Sequence, residues 1–198
     1  MTLPNQLSIL RMILTPIFIF FLLFDRYYFE QVATFVFFIA SLTDWYDGYI
    51  ARRYGYVSKW GKFLDPLADK VLISSALISL WILKYIKLWV VLVIVLRDFL
   101  VTGLRFYAIE TRKPVVTGNL AKWKTFSQML LIYLILIYIN IKSISSLDSQ
   151  RFQNLIDKAA LLVTFFTALT GVVYLFENRR HIRAIALRFY RVFIPSDL

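Results

Sequence analysis

Four aspartates, Asp44, Asp47, Asp65 and Asp69, fall in the stretch DWYDGYIARRYGYVSKWGKFLDPLAD of a chain with only 12 acidic residues. A helix advances about 100° per residue, so Asp44 and Asp47 lie about 60° apart on one face, and Asp65 and Asp69 stack four residues apart in the same way. Carboxylates gathered at one point repel unless a cation lies between them. Each also costs about 2.5–3.5 kcal/mol at membrane depth on the lenient insertion scale. Capping accounts at most for Asp65, and the plainer alternative is pairing with Arg52, Arg53, Lys62 and Lys70. The pattern points instead to a divalent metal site with room for two ions. Cys is absent and His181 stands alone, so the ligands are oxygens, which favours hard cations such as Mg²⁺ or Mn²⁺. Mg²⁺ held by a few carboxylates completes its shell with phosphate oxygens, which suggests a diphosphate-bearing substrate. The small residues Gly48, Ala51 and Gly61 let a flat group approach the backbone, and a carboxylate free of metal duty can act as general base.

The elements that position these groups are apolar. The composition is 60% hydrophobic with a mean hydropathy of +0.67, typical of a polytopic membrane protein. A net charge of +11 would suggest nucleic acid in a soluble chain, but the Lys and Arg fall between apolar runs, which fits anionic lipid headgroups and excludes a nucleic-acid partner. The first run, Leu7 to Phe24, has one charge, Arg11, and lacks a small-residue cleavage site, so it reads as a retained helix. A second helix continues from Val32 through Asp44, Asp47 and Ala51 to Tyr54. Asp65-Pro66 supplies an N-cap and a first-turn proline for a third, and the two are expected to be neighbours. Further spans run from Leu88 to Ile109, interrupted by Arg97-Asp98, from Phe126 to Ile141, and from Ala159 to Phe176 after a polar link from Lys142 to Asp157. The expected fold is therefore all-α, with six transmembrane helices in residues 1–178 and a basic tail in residues 179–198. Basic residues cluster on one side of such a six-span chain, which places both termini and the aspartates at the cytoplasmic face of the cell membrane.

The fixed spacing Asp-x2-Asp-Gly-x2-Ala-Arg-x8-Gly-x3-Asp-x3-Asp is filled by Asp44, Asp47, Gly48, Ala51, Arg52, Gly61, Asp65 and Asp69. It resembles the signature of the CDP-alcohol phosphotransferases at every specified position. The resemblance implies a six-helix membrane fold, a homodimer, and a site with two Mg²⁺ or Mn²⁺ ions, at which an alcohol displaces CMP from a CDP-linked substrate. It assigns Asp44, Asp47 and Asp65 as metal ligands and Asp69 as both metal ligand and the base for the incoming hydroxyl. Asn5, Gly48, Ala51, Arg52, Ser58 and Gly61 would line the CDP-lipid site.

The segments LRDFLVTGLR, from Leu96 to Arg105, and AKWKT, from Ala121 to Thr125, are similar to the fourth and fifth helices of members that join CDP-diacylglycerol to sn-glycerol 3-phosphate. Those members commonly carry Arg-Glu at Arg97-Asp98 and Gly at Ala121. Arg105, Arg112, Lys122 and Lys124 are the expected phosphate-binding residues for that acceptor. Cardiolipin synthase chemistry with phosphatidylglycerol, or another acceptor such as inositol phosphate or serine, stays open within the family. Outside it, an intramembrane polyprenyltransferase also binds a diphosphate through aspartates and Mg²⁺, and a small cation channel could place carboxylates in a membrane.

Overall fold

A computed structural model describes residues 3–24, 26, 28–54, 61–110, 120–142 and 149–179, and within these the side chains of 3–5, 47–54, 61–65, 108–110, 120–122 and 149 lie outside the description. The described residues form six helices and no strand: α1 (Leu3–Leu23), α2 (Phe29–Tyr54), α3 (Gly61–Ile82), α4 (Leu88–Glu110), α5 (Leu120–Lys142) and α6 (Ser149–Glu177). Residues 180–198, which include the expected basic tail, are outside the described residues. Three helices are long and apolar enough to cross a membrane, over Gln6–Leu23, Trp123–Lys142 and Gln150–Glu177. The other three carry the aspartate motif and the Arg97-Asp98 pair.

Large apolar side chains face outward while charged ones are sealed inside. Phe35, Leu162, Phe165 and Phe176 are each more than 60% exposed, whereas Arg11, Asp98, Lys124 and Gln128 are at most 2% exposed. Water would reverse that distribution, so the chain is a membrane protein whose exterior is matched to lipid. Hydroxyl groups within the helices bond back to backbone carbonyls, as Thr15 does to Arg11 at 2.8 Å and Thr164 to Ala160 at 2.7 Å, which satisfies them without water. Between helices, Tyr133 of α5 meets Ser41 of α2 across 2.7 Å, and Asn140 of α5 donates to Thr34 of α2 at 2.7 Å. Phe37 packs at 5.2 Å from both Phe18 of α1 and Tyr133, forming the apolar centre of α1, α2 and α5.

Two boundaries depart from expectation. Helix α3 begins at Gly61, so Asp65 lies inside it and is not its N-cap, and Pro66 gives up one internal hydrogen bond. Helix α6 begins at Ser149, so residues 149–158 are helical and not a link. There Ile156 is fully buried and Phe152 stacks on Tyr138 at 4.7 Å, an apolar face that outweighs the polar residues between them. The packing order also differs from the expected α2–α3 pair. Among the described residues α1 packs against both α2 and α3, while those two make little contact with each other. On the other side, α4 packs on α3 and α6, and α5 on α6 and α2.

The α3–α4 connection is a tight turn with a left-handed residue. Lys84 has φ 64°, its amide donates to Trp81 O at 2.8 Å, and the Tyr85 amide donates to Leu80 O at 2.9 Å. This pair of bonds is the Schellman motif, which satisfies the last carbonyls of α3 and fixes the angle at which α4 leaves.

Candidate active site

The two described aspartates of the motif sit in different charge environments. Asp44, near the end of α2, pairs with Arg11 of α1, with Nη1 and Oδ1 2.7 Å apart. The arginine is fully buried and the carboxylate about a third exposed, so the pair points from the bundle toward open space. Asp69, on α3, accepts from the ammonium of its neighbour Lys70 at 3.0 Å through Oδ2. Its second oxygen, Oδ1, is buried with no hydrogen-bond partner among the described residues. A buried carboxylate oxygen left open is unusual, and a hard cation is a suitable partner for it. Asp47, Gly48, Ala51 and Arg52 lie on the last turns of α2, Gly61 and Asp65 on the first turns of α3, and Asn5 on the first turn of α1. The side chains of these seven residues are outside the described residues. Ser58 and Arg112 are outside them altogether. Among the described residues no three of His, Cys, Asp or Glu gather at one point, and the open oxygen of Asp69 is a donor of the kind that Mg²⁺ or Mn²⁺ takes.

Beside Asp69 the helices build a buried cluster of cations around one carboxylate. Asp98 of α4 contacts the ammonium of Lys124 on α5 through Oδ1, lies 3.7 Å from the ammonium of Lys70 through Oδ2, and receives Arg97 Nη1 at 3.3 Å. Asp98 and Lys124 are 2% and 1% exposed, so this is a fully desolvated pair. Arg97 also donates through Nη2 to Thr170 of α6 at 3.2 Å. Three cations, Lys70, Arg97 and Lys124, thus face two carboxylates, Asp69 and Asp98, and one positive charge is left over. Arg105 lies about two turns further along α4, with its guanidinium in electrostatic reach of Tyr174 on α6, as is that of Arg97. A surplus of buried positive charge held by four helices is suited to binding an anion. Lys122 is on α5, with its side chain outside the described residues.

Of the expected phosphate-binding residues, then, the structure describes Lys124 and Arg105, and it places Lys70, Arg97 and Asp98 in one cluster with Lys124. Gln128, one turn beyond Lys124 on α5, is fully buried with neither amide atom bonded among the described residues, and the Thr167 hydroxyl of α6 is likewise without a bond among them. Arg11 is the other group that motif reading passed over. A single charge inside an 18-residue apolar run is the signal that could have found it, because such a residue is functional by default.

Two glycines give a direct test of how tightly α4 and α6 hold Arg97. A Cβ on Gly171 would lie 2.9 Å from Arg97 Cγ, whereas one on Gly103 meets nothing within 4 Å. Gly171→Ala is expected to lower stability in detergent by about 1–3 kcal/mol through overpacking. Gly103→Ala is expected to raise it by about 0.5–1 kcal/mol through helix propensity. Thermal unfolding of the two variants checks both signs, and equal shifts would show that Gly171 does not seat Arg97.

Comparison with known proteins bears on what this site acts upon. A family described as CDP-alcohol phosphatidyltransferase matches residues 1–170. A Bacillus subtilis (strain 168) protein named CDP-diacylglycerol–glycerol-3-phosphate 3-phosphatidyltransferase is 38% identical over 188 residues, covering 89% of this chain and 94% of the relative. A Rickettsia felis protein of the same name is 34% identical over 173 residues, covering 87% and 92%. A Blochmanniella floridana protein of that name is 35% identical over 143 residues, covering 69% and 74%.

Proposed function

The chain belongs to the CDP-alcohol phosphatidyltransferase family, and from that premise we propose that it transfers the phosphatidyl group of CDP-diacylglycerol to sn-glycerol 3-phosphate, giving phosphatidylglycerophosphate and CMP. The observation that carries this reading is the junction at Lys70, which joins the open carboxylate of Asp69 to the buried cations around Asp98. A base and an anion site side by side are what an alcohol bearing a phosphate requires.

Asp69 takes the proton of the glycerol hydroxyl, whose oxygen attacks the phosphorus that bears the diacylglycerol. The bond from that phosphorus to the CMP oxygen breaks, and CMP leaves. Lys124 and Arg105, with Arg112 and Lys122, bind the phosphate of the acceptor and hold its hydroxyl toward Asp69. Gly48, Ala51 and Gly61 leave room for the CDP group, with Asn5, Arg52 and Ser58 lining the same site. Asp44, Asp47, Asp65 and Asp69 would hold Mg²⁺ or Mn²⁺, which when bound neutralises the diphosphate and polarises the phosphorus under attack. Six spans, with both termini and the aspartates at the cytoplasmic face, a homodimer, and a basic tail from residue 179 complete the proposal. The aspartate motif spans the last turns of α2 and the first turns of α3, opposite the Lys84 turn at the far end of α3, which supports a site close to one membrane surface.

Purified protein supplied with CDP-diacylglycerol and one acceptor at a time decides the reaction, with CMP release as the readout. Glycerol 3-phosphate is expected to support release, and chelation of divalent metal to abolish it until Mg²⁺ or Mn²⁺ is returned. Release with phosphatidylglycerol and none with glycerol 3-phosphate would make the protein a cardiolipin synthase instead. Full release in the presence of chelator would sink the metal assignment.

A further inference from the structure

We infer that Asp98 is a positioning residue of the acceptor site, a buried carboxylate that fixes the ammonium groups of Lys124 and Lys70 and the guanidinium of Arg97 and so determines where an acceptor phosphate binds. The inference rests on the functional reading above. Its observations are geometric. Asp98 is 2% exposed on α4, and its two oxygens divide the work: Oδ1 meets Lys124 of α5 and Arg97 Nη1 at 3.3 Å, and Oδ2 faces Lys70 of α3 at 3.7 Å. Arg97 in turn reaches Thr170 of α6 at 3.2 Å. Asp98 therefore ties α4 directly to α3 and α5, and its neighbour Arg97 extends the cluster to α6.

Lysine brings a compact charge on a flexible stem and has no fixed direction of its own. Three like charges crowded in a dry interior would turn away from one another without a common anion. Asp98 supplies that anion, and it leaves the cluster net positive because Asp69 is the only other carboxylate paired with it among the described residues. The acceptor phosphate then completes the charge balance in a site whose donors are already aimed.

Simple Coulomb attraction predicts the opposite result from positioning. Removing a negative charge beside a phosphate site should tighten phosphate binding if charge alone matters. If Asp98 aims the cations, Asp98→Asn should raise KM for glycerol 3-phosphate by about 10–100-fold, the effect typical of losing a partner that orients a ligating group. KM for CDP-diacylglycerol should change little, and Asp98→Glu, which returns the carboxylate, should recover most of the loss. A KM for glycerol 3-phosphate that is unchanged or lower, or an equal rise for both substrates, overturns the assignment. Wild-type protein that releases no CMP with glycerol 3-phosphate overturns the functional reading itself, a distinct result. Should Asp98→Asn not fold, Lys124→Gln and the pair Asp98→Asn/Lys124→Gln replace it, since the pair leaves one fewer unpaired cation buried. Positioning of all three cations predicts a larger rise in KM for glycerol 3-phosphate in the pair than in Lys124→Gln alone, and a rise no larger overturns it.

Discussion

Asp69→Asn is expected to reduce CMP release by about 10²–10⁴-fold, the contribution typical of a positioned general base. The amide keeps the size of the carboxylate and retains an oxygen that can accept from Lys70, whose ammonium now lies 3.0 Å from Oδ2. It cannot take a proton from an alcohol. Binding of CDP-diacylglycerol in the presence of Mg²⁺ should therefore survive while turnover does not. Measuring both on one preparation separates a lost base from a lost fold, and turnover near the wild-type rate would remove Asp69 from that role. The same variant addresses the channel alternative, for which ion flux would persist.

The second large effect concerns the Arg11–Asp44 pair, and it is asymmetric. Asp44→Ala removes a carboxylate from a fully buried guanidinium, and loss of a partner at a buried charge costs up to about 3–5 kcal/mol. Arg11→Met instead leaves behind a carboxylate that is about a third exposed and can be hydrated, so the cost falls to about 1–3 kcal/mol. Unfolding in detergent should rank wild type above Arg11→Met and Arg11→Met above Asp44→Ala. Arg11→Met should also lower activity, since the guanidinium orients a proposed metal ligand, and Asp44→Ala should abolish it. The reverse stability order would show that the guanidinium is held mainly by groups other than Asp44.

Six helices and the family that the aspartate motif marks were legible in the sequence because both are written in local spacing. The boundaries that moved did so where local signals competed. Asp65-Pro66 has the composition of a helix start, yet α3 continues back to Gly61, and one lost bond at Pro66 was too small a cost to end it. The residues from Ser149 to Lys158 look like a polar link by composition, whereas Phe152, Ile156 and Ala160 recur at helical spacing and bury one face. What spacing could not supply was the order in which helices pack. That α1 stands against both α2 and α3 decides that Arg11 meets Asp44, and the α3–α4–α5 contacts decide that Lys70 and Lys124 share Asp98. Arg97-Asp98 stood out in the sequence as a deep charged pair, but its partners lie on three other helices.

The left-handed turn at Lys84 makes the α3–α4 hairpin a ruler. Lys70 precedes Lys84 by 14 residues (84 − 70) and Asp98 follows it by 14 (98 − 84), and the ammonium and the carboxylate meet across the hairpin at 3.7 Å. The helical parts of the two arms run 12 residues from Lys70 to Ile82 and 10 from Leu88 to Asp98, about 18 and 15 Å at 1.5 Å per residue, with the turn between them. Each helix thus carries a counter-ion for its neighbour. Removing one residue from either arm would rotate one partner by about 100° and shift it along the axis, so this hairpin tolerates substitution far better than a change of length.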